Sequence, residues 1–363
     1  MITDKVLIIA PYTYQINSGG PSGFIAHNLL DKPHDCFELS HELFEKIQNN
    51  RTLLDRLKIK PKKILSSLLK KRDYFQDKYY FHAINAHLYK NLYFHDVKSF
   101  YQFQDFISPR QTIILQSHSP ELPSEEYRSY KPNDPSGYLL WKQAEEAAFK
   151  RADIIIFPHP GCIPLYENLL CKEHDIRFIL SGAKSIYNES PINTEIIKSD
   201  KINLMYIGRR NAIKGFDIVL NAYRHARENR DDLNLIIVGN GEKIQEDGIV
   251  DVGFSDNPLG WYQSVDYLIN ANRQSYFDLS IIEAISTGVP ILMSDNYGHS
   301  YYTNRSPLIQ TFDVRNPYGL YDLLMGPLQK RNQEQQDNIL LYRKELSDLH
   351  YYKRFQNFVK TLQ

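Results

Sequence analysis

Two basic residues follow closely on a predicted strand in the middle of the chain. Residues 203–207 form an apolar run that ends at Gly208-Arg209-Arg210, and Lys214 precedes a glycine that opens a predicted helix. Open α/β sheets bind their ligands at the carboxyl ends of the strands. Because arginine makes forked contacts with phosphate and lysine supplies a point charge, Arg209 and Lys214 predict a diphosphate site. The neighbouring Arg210 is expected to face solvent.

Further polar positions follow the next predicted elements. The strand at residues 234–238 closes on Gly239-Asn240-Gly241, and a short strand precedes Val252. Glu283 lies in a predicted helix at residues 279–287, where an acidic group is favoured by the helix dipole alone. The turn before this helix would direct its backbone N–H groups towards phosphate or sugar oxygens.

These residues resemble the C-terminal half of the retaining glycosyltransferases of family 4, which have the GT-B fold. That family has a Gly-Arg…Lys-Gly element, a strand ending in Gly-x-Gly, and two glutamates separated by seven residues before Ala-x-x-x-Gly-x-Pro. Here Glu283 is the second glutamate and is followed by the matching Ala284, Gly288 and Pro290. Ser275 stands where the first glutamate is expected.

The resemblance implies a role for each matching residue. Arg209 and Lys214 would stabilise the departing diphosphate without a metal ion, and Glu283 would bind the ribose hydroxyls. The nucleobase would lie against the backbone near Val252. The donor would contact further strand-end and turn residues, which are Gly208, Gly239, Ser275, Phe277, Asp278, Leu279 and Ser280.

The replacement of the first glutamate leaves two interpretations open. Asp278, which stands where glycine is usual, would take over the sugar contact while Ser275 tunes donor specificity. Alternatively, the chain has lost catalysis and keeps nucleotide binding. We favour an active enzyme because the phosphate and ribose elements are intact.

The N-terminal half resembles the family at fewer points. A loop containing Gly19-Gly20 follows the first predicted strand, residues 6–10, and glycines let the backbone approach a ligand. By the resemblance, Gly19 and Gly20 face the donor diphosphate. His118 follows the predicted strand 112–116, and a histidine at a strand end is more often structural. The resemblance implies that His118 donates or accepts a hydrogen bond with the donor sugar.

The pattern of short β-branched runs alternating with amphipathic segments predicts parallel α/β domains. We expect two Rossmann-like domains facing across a cleft: residues 1–185 for the acceptor, and residues 201–344 for the nucleotide sugar. Residues 186–200 are the predicted linker, and residues 345–363 a helix that returns to the first domain. Residues 31–110 fit the alternation poorly and predict an irregular, basic insertion.

Composition narrows the possible partners and location. The 363 residues carry 43 basic and 43 acidic side chains, so the chain has no net positive charge that would attract a polyanion. The three cysteines, Cys36, Cys162 and Cys171, have no metal or disulfide spacing, which favours a reducing cytoplasm. No signal peptide or membrane-spanning run is predicted.

A basic amphipathic segment is the exception to the neutral charge. Residues 51–72 contain nine basic residues and one acidic residue, Asp55, with leucines between them. Such segments bind anionic membrane surfaces, although a solvated helix packed on its domain is an equal alternative. Nucleic acid is a weaker interpretation because interleaved aromatic residues are absent.

Taken together, the sequence predicts a retaining transferase that moves a hexose from a nucleotide diphosphate sugar to a glycan or glycolipid acceptor. Bacterial surface polysaccharide synthesis is the expected setting, and no cofactor is expected. The alternatives are a non-catalytic subunit that binds nucleotide or partners an active enzyme, and a nucleotide-sugar epimerase. A nicotinamide-dependent dehydrogenase is disfavoured because no Gly-x-Gly-x-x-Gly follows the first strand.

Overall fold

The structure is a computed structural model that describes residues 3–50, 72–185, 192, 195–332 and 334–362. The chain divides into two compact units. The first comprises Met1–Phe157, Tyr166–Ile179 and Tyr352–Gln363, and the second comprises Pro158–Leu165 and Leu180–Tyr351. Residues 51–71 of the basic segment lie outside the described residues, as do residues 186–191, 193 and 194 of the predicted linker.

The first unit is built on a six-stranded parallel sheet. Its strands are β1 Thr3–Ile9, β2 Phe37–Leu39, β3 Tyr89–Phe94, β4 Thr112–Leu115, β5 Ile154–Phe157 and β6 Asp175–Phe178, in the order β2-β1-β3-β4-β5-β6. The α-helices of this half are α1 Gly20–Asn28, α2 Ser40–Asn49, α3 Arg72–Ala83, α4 Val97–Phe103, α5 Pro123–Tyr130 and α6 Pro135–Arg151. Short 3₁₀ helices cover Ala86–Leu88 and Gln104–Phe106. A longer one, Pro160–Leu169, begins in the part of the chain that belongs to the second unit.

The expectation of an irregular insertion at residues 31–110 was wrong for the described part of that range. β2 and β3 belong to the sheet, and β3 lies between β1 and β4. The residues of β3, Tyr-Lys-Asn-Leu-Tyr-Phe, contain polar side chains that mask a strand in the sequence. Asn91 is nevertheless buried, as are the three residues of the strand that follow it.

The second unit contains another six-stranded parallel sheet. Its strands are β7 Ile202–Ile207, β8 Leu233–Val238, β9 Ile249–Gly253, β10 Tyr267–Asn270, β11 Ile291–Ser294 and β12 Ile309–Phe312, in the order β12-β11-β10-β7-β8-β9. The α-helices are α7 Phe216–Arg227, α8 Pro258–Ser264, α9 Leu279–Thr287, α10 Gly319–Met325 and α11 Asp337–Leu341. A 3₁₀ helix, Tyr297–Tyr302, follows β11, and a π-helical turn, Tyr342–Leu346, follows α11. A last helix, α12 Asp348–Lys360, ends in the part of the chain that belongs to the first unit.

Most strands predicted from apolar runs are present within a few residues of their expected ends. The strand β7 shows why, because five of its six residues are buried and it is central in its sheet. The helix α9 has the predicted bounds; its apolar residues Ile281, Ile282 and Ile285 are buried. Gly288 ends the helix with φ +82°, a left-handed conformation that glycine adopts without strain.

Candidate functional site

The second sheet has a topological switch point between β7 and β10. Counted within the unit, the strand order is that of the doubly wound dinucleotide-binding fold, in which the first and fourth strands lie side by side. β7 and β10 pair in parallel, so both carboxyl ends meet at one edge. Ligands of such sheets bind at this point. Arg209 and Lys214 follow β7, and Ser275 and Asp278 follow β10.

Glycines bring the strand ends close together at this edge. The N–H of Gly208 donates to the carbonyl of Val238, and the N–H of Gly239 donates to that of Gly253 at 2.7 Å. A Cβ on Gly239 would lie 2.1 Å from the Gly208 carbonyl oxygen. Glycine is therefore required at position 239 because two backbones pack against each other there. This requirement is separate from the predicted contact with a ligand.

The loop after β7 places Lys214 beside the end of β10. The Asn211 side chain accepts a hydrogen bond from the Lys214 N–H, and Gly215 has φ +63°. A Cβ on Gly215 would lie 1.9 Å from the Ala271 carbonyl oxygen, so the loop packs directly on the chain after β10. The Lys214 side chain is 18% exposed, and its Nζ lies 3.1 Å from Asp278 Oδ1.

Asp278 is the centre of a polar network at the start of α9. Its Oδ1 accepts a hydrogen bond from Lys214, and its Oδ2 accepts one from Asn272 Nδ2 at 2.6 Å. The Nε2 of His299 lies 3.3 Å from the same Oδ2. Burial opposes ionisation, but the charge of Lys214 and the hydrogen bond from His299 hold the pKa of the Asp278 carboxyl well below its usual range. Asp278 is therefore an anion paired with Lys214.

Ser275 supports this network from inside the protein. Its side chain is fully buried, and its Oγ donates to the Asn296 carbonyl at 2.7 Å and accepts from the His299 N–H at 3.1 Å. The Ser294 hydroxyl lies 3.0 Å from His299 Nδ1. The serine hydroxyl thus holds the segment that carries His299 next to Asp278.

The sequence analysis missed three residues of the network: Asn272, Asn296 and His299. The Asn296 Nδ2 group donates to the carbonyls of Asn272 and Arg273, which ties the ends of β10 and β11 together. His299 and Asn296 follow β11, an apolar strand. Polar residues following that strand were the signal that could have identified them.

The side chain of Arg210 is buried, although it was predicted to face solvent. Its guanidinium makes two hydrogen bonds to Asp251, with side chains 5% and 3% exposed, respectively. It also donates to the carbonyls of Gly239 and Glu242. The hydrogen bond from Arg210 is the main reason why the pKa of Asp251 is lowered. The adjacent Arg209 is half-buried, and its carbonyl accepts a hydrogen bond from the Tyr206 hydroxyl.

A pocket of about 230 Å³ opens at the carboxyl ends of β8 and β9. Its walls combine the buried ion pair with the glycine turns and the end of β9: Arg210, Gly239, Asn240, Gly241, Lys243, Asp251, Val252 and Gly253. Phe254, the next residue, is 70% exposed. Val252, predicted to lie near the nucleobase, therefore borders a pocket that Gly239 also lines.

The remaining predicted residues of this half lie on α9 and the turn before it. Leu279 and Ser280 are the first two residues of the helix, directly after Asp278. Phe277 is buried against the rings of Tyr301 and Tyr302, which fixes the turn. Glu283 is half-buried on the second turn of the helix, and its charge contributes, after burial, to a raised pKa of Tyr262.

The first unit carries the other predicted residues. Gly19 and Gly20 are exposed at the start of α1, and a Cβ on either would meet open space. The preceding loop is held on α1 by Ser22, whose hydroxyl donates to the Thr13 carbonyl at 2.8 Å. A Cβ on Gly23 would overlap the Ser18 carbonyl oxygen, which explains the glycine that sequence analysis left without a role.

His118 follows β4 and contacts a histidine that the sequence analysis missed. Its Nε2 lies 2.9 Å from Nδ1 of His95, the residue after β3. Because β3 and β4 are neighbours, the two residues lie at one edge of the first sheet, near the switch point between β1 and β3. His95 escaped notice because the strand before it was not predicted.

The described residues contain neither a metal-binding cluster of side chains nor a helix that could span a membrane. No group of three or more His, Cys, Asp or Glu side chains in that part of the chain could hold a metal ion. None of the helices described there is both long and apolar enough to cross a bilayer.

Known proteins resemble different parts of the chain. Residues 201–312 match the family model of glycosyl transferases group 1. A Klebsiella pneumoniae protein, described as an uncharacterized 41.2 kDa protein in cps region, is 28% identical over 123 residues. This alignment covers 32% of the chain and 34% of the relative, so it spans about a third of that protein's length.

Solved structures resemble a larger part of the chain. HepE from Anabaena, in complex with UDP-glucose, has a TM-score of 0.64 at 13% identity, with 98% of this chain and 99% of that chain covered. Sucrose-phosphate synthase from Thermosynechococcus elongatus has a TM-score of 0.60 at 16% identity, with 80% of this chain and 78% of that chain covered. An α,α-trehalose-phosphate synthase from Burkholderia xenovorans has a TM-score of 0.58 at 9% identity, with 99% of this chain and 100% of that chain covered. With its two parallel six-stranded sheets, the chain has the two-domain α/β GT-B fold, and residues 201–312 form a domain similar to glycosyl transferases group 1.

Proposed function

We propose that the protein is a retaining glycosyltransferase that transfers a hexose from a nucleotide diphosphate sugar to a glycan or glycolipid acceptor. The observation that carries the proposal is the match of residues 201–312 to glycosyl transferases group 1, at the sheet edge where Lys214, Asp278 and the pocket beside Val252 lie. The HepE structure with UDP-glucose supports a nucleotide sugar as donor.

The nucleotide would lie along the carboxyl edge of the second sheet. The pocket beside Val252 is of a size for a base, and the exposed ring of Phe254 could stack on it. Glu283 would accept hydrogen bonds from the ribose hydroxyls. The diphosphate would then reach the loop after β7, which carries Arg209 and Lys214.

Lys214 can donate a hydrogen bond to a phosphate while remaining paired with Asp278. An ammonium group has three donors, and Asp278 takes one of them. Arg209 would add the positive charge that the neutral Lys214–Asp278 pair lacks. As the bond between the sugar C1 and the diphosphate oxygen breaks, its electron pair passes to the diphosphate, which these fixed cations stabilise. The acceptor oxygen forms the new bond on the same face, and its proton passes to the departing diphosphate.

Asp278 is suited to one contact with the donor sugar. An ionised carboxylate has about four acceptor sites, of which Lys214, Asn272 and His299 occupy three. The remaining site can accept one sugar hydroxyl. Ser275 would influence the sugar through the segment it holds, because its own hydroxyl is bonded to Asn296 and His299.

The test is donor turnover by the full-length protein. We expect release of nucleoside diphosphate from one member of a panel of UDP-, GDP- and ADP-hexoses, and a product anomer that matches the donor when an acceptor is supplied. Lys214→Gln and Arg209→Gln should each lower turnover at least tenfold while the fold is kept. Arg224→Gln, which removes a surface charge on α7, is the matched control. Inversion of the anomer would contradict the retaining mechanism.

A non-catalytic nucleotide-binding subunit is the second candidate. Ser275 favours it, since the serine replaces a glutamate of the resembled family and faces inward. Nucleotide binding without turnover of any donor in the panel, with or without acceptors, would identify this role.

We propose that the acceptor belongs to surface polysaccharide synthesis at the inner face of the membrane. The relative described as lying in a cps region supports this setting, and the basic segment 51–72 supports membrane contact. Replacing the nine basic residues of that segment with glutamine should weaken binding to vesicles containing anionic lipid at low salt. Unchanged binding would contradict the membrane contact.

A further inference from the structure

Two histidines at neighbouring strand ends of the first unit form a buried pair. His95 Nδ1 and His118 Nε2 are 2.9 Å apart, and the two rings meet edge to edge, 22° from coplanar, with centroids 5.1 Å apart. His95 is fully buried, and its ring stacks on that of Tyr93 with centroids 4.6 Å apart. The ring centroids of Phe24 and His118 are 4.4 Å apart. These aromatic contacts hold both rings in one orientation.

Both rings are neutral near pH 7. Burial lowers the pKa of His95 to about 3, and burial together with the neighbouring His95 lowers the pKa of His118 well below its usual value. A neutral imidazole has one N–H and one nitrogen lone pair. The bond between the rings therefore has one of two polarities: either His95 donates from Nδ1, or His118 donates from Nε2.

The surroundings of His95 favour the first polarity. Its other nitrogen, Nε2, is buried and has no hydrogen-bond partner among the described residues. If His118 donated, His95 would have to carry its proton on Nε2, which would bury an N–H with no acceptor. Buried donors are left unpaired less often than buried acceptors. When His95 donates, an unprotonated Nε2 is left instead.

We propose that His95 is a positioning residue that fixes His118 as the tautomer with its proton on Nδ1. This inference rests on the proposed function and on the contact with the donor sugar that the resemblance implies for His118. His118 then offers that sugar a hydrogen-bond donor, Nδ1–H. Its Nε2 lone pair is used by His95, so His118 is not the base that removes the acceptor's proton. The substrate group it recognises is an oxygen that can accept, such as a sugar hydroxyl.

The tautomer can be measured without any ligand. Correlation spectra of the full-length protein labelled with [15N]histidine distinguish Nδ1–H from Nε2–H rings, and His118→Gln identifies which signals belong to His118. We expect His118 to be neutral with its proton on Nδ1 at pH 7. A His118 ring protonated on Nε2, or on both nitrogens, would overturn the proposal.

Two substitutions at position 95 separate the hydrogen bond from packing. His95→Phe keeps an aromatic ring but removes the donor, so His118 should lose its Nδ1–H preference. His95→Asn places an amide N–H close to the position of the imidazole Nδ1 and should restore it. His87→Asn, an exposed histidine of the same unit, is the control and should leave the His118 signals unchanged. An unchanged His118 tautomer in a folded His95→Phe would contradict the assignment.

Kinetics with UDP-glucose as the probe provide a second readout. His95→Phe should lower kcat roughly tenfold, the value of one hydrogen bond, with a smaller effect on KM, and His95→Asn should recover most of the loss. Equal losses in both variants would indicate a structural role and overturn the proposal. If the wild-type protein turns over neither UDP-glucose nor the other donors, the proposed function fails, whereas the tautomer result still decides the role of His95.

Discussion

At the scale of single residues, the protein uses its charges in two ways. Lys214 and Asp278 are paired at the sheet edge where a ligand can reach them, with side chains 18% and 16% exposed. Arg210 and Asp251 form a more deeply buried pair in the wall of the neighbouring pocket. The first pair is available for chemistry, and the second supports the shape of the site.

The depressed pKa of Asp278 predicts how stability depends on pH. Because its pKa is lower in the folded than in the unfolded state, the stabilisation is present above about pH 4 and is lost as the pH falls further. Asp278→Asn should therefore be less stable than wild type at pH 7, and the two should converge below pH 4 in urea unfolding. Asp247→Asn, which changes a carboxylate whose side chain is 98% exposed, is the control. A difference between wild type and Asp278→Asn that does not depend on pH would contradict this explanation.

The buried position of Arg210 predicts a structural effect of its removal. Arg210→Ala leaves Asp251 buried without its partner, which should cost about 3 kcal/mol of unfolding free energy. Arg315, whose side chain is 87% exposed, pairs with Asp313, and Arg315→Ala should change the stability little. Denaturant unfolding of both variants measures the difference. Similar losses would mean that the Arg210 pair is as solvated as the surface pair.

The sequence located the basic residues at the end of β7 better than it predicted their surroundings. Arg209 and Lys214 were found because glycines and apolar strands mark their positions in the chain. The exposure of Arg210 was predicted wrongly because its partner Asp251 lies on another strand, 41 residues away. His95 and His299 could not be assigned because each meets its partner through strand pairing or a turn that the sequence pattern does not encode.

At the scale of elements, close backbone packing holds the strand ends together. Gly239→Ala would place a Cβ 2.1 Å from the Gly208 carbonyl oxygen, so the carboxyl ends of β7 and β8 would have to separate. Gly253→Ala meets no atom within 4 Å and has only the strain of φ +77°. We expect about 1–2 kcal/mol of destabilisation for Gly253→Ala and a larger loss for Gly239→Ala. Equal effects in thermal unfolding would exclude the backbone contact as the cause.

The predicted elements are those with continuous apolar runs, such as β4, β7 and β8. The strand β3 was missed because Lys90 and Asn91 interrupt its apolar pattern, although the strand lies inside the sheet between β1 and β4. A strand covered on both faces is normally recognised by its hydrophobicity. Since β3 departs from that rule, the sequence left its position and the histidine that follows it unassigned.

At the scale of the whole molecule, the last helix completes the core of the first unit. Residues 352–363 belong to that unit, where Phe355 packs on Phe37 and Tyr93 with ring centroids 5.7 and 5.9 Å apart. The Tyr352 hydroxyl donates to the Pro33 carbonyl at 2.6 Å. The helix α12 thus stabilises the unit that contains the strand β1.

Phe355→Ala tests this contribution. Removing a fully buried aromatic side chain should cost about 3–5 kcal/mol, a loss that should first affect the unit containing Phe37 and Tyr93. Leu349, on the same helix but 66% exposed, is the control, and Leu349→Ala should be nearly neutral. Hydrogen exchange can assign the loss to β1 and β3. Exchange that is unchanged there would contradict the contribution of the last helix.

The central claim is that the edge of the second sheet binds a nucleoside diphosphate through Lys214. Calorimetric titration of the full-length protein with UDP, GDP and ADP, repeated with Lys214→Gln and Arg224→Gln, tests it most directly. We predict selective binding of one nucleotide, a loss of at least tenfold in affinity with Lys214→Gln, and no change with Arg224→Gln. Absence of binding to all three nucleotides, or equal affinity in wild type and Lys214→Gln, would contradict the claim.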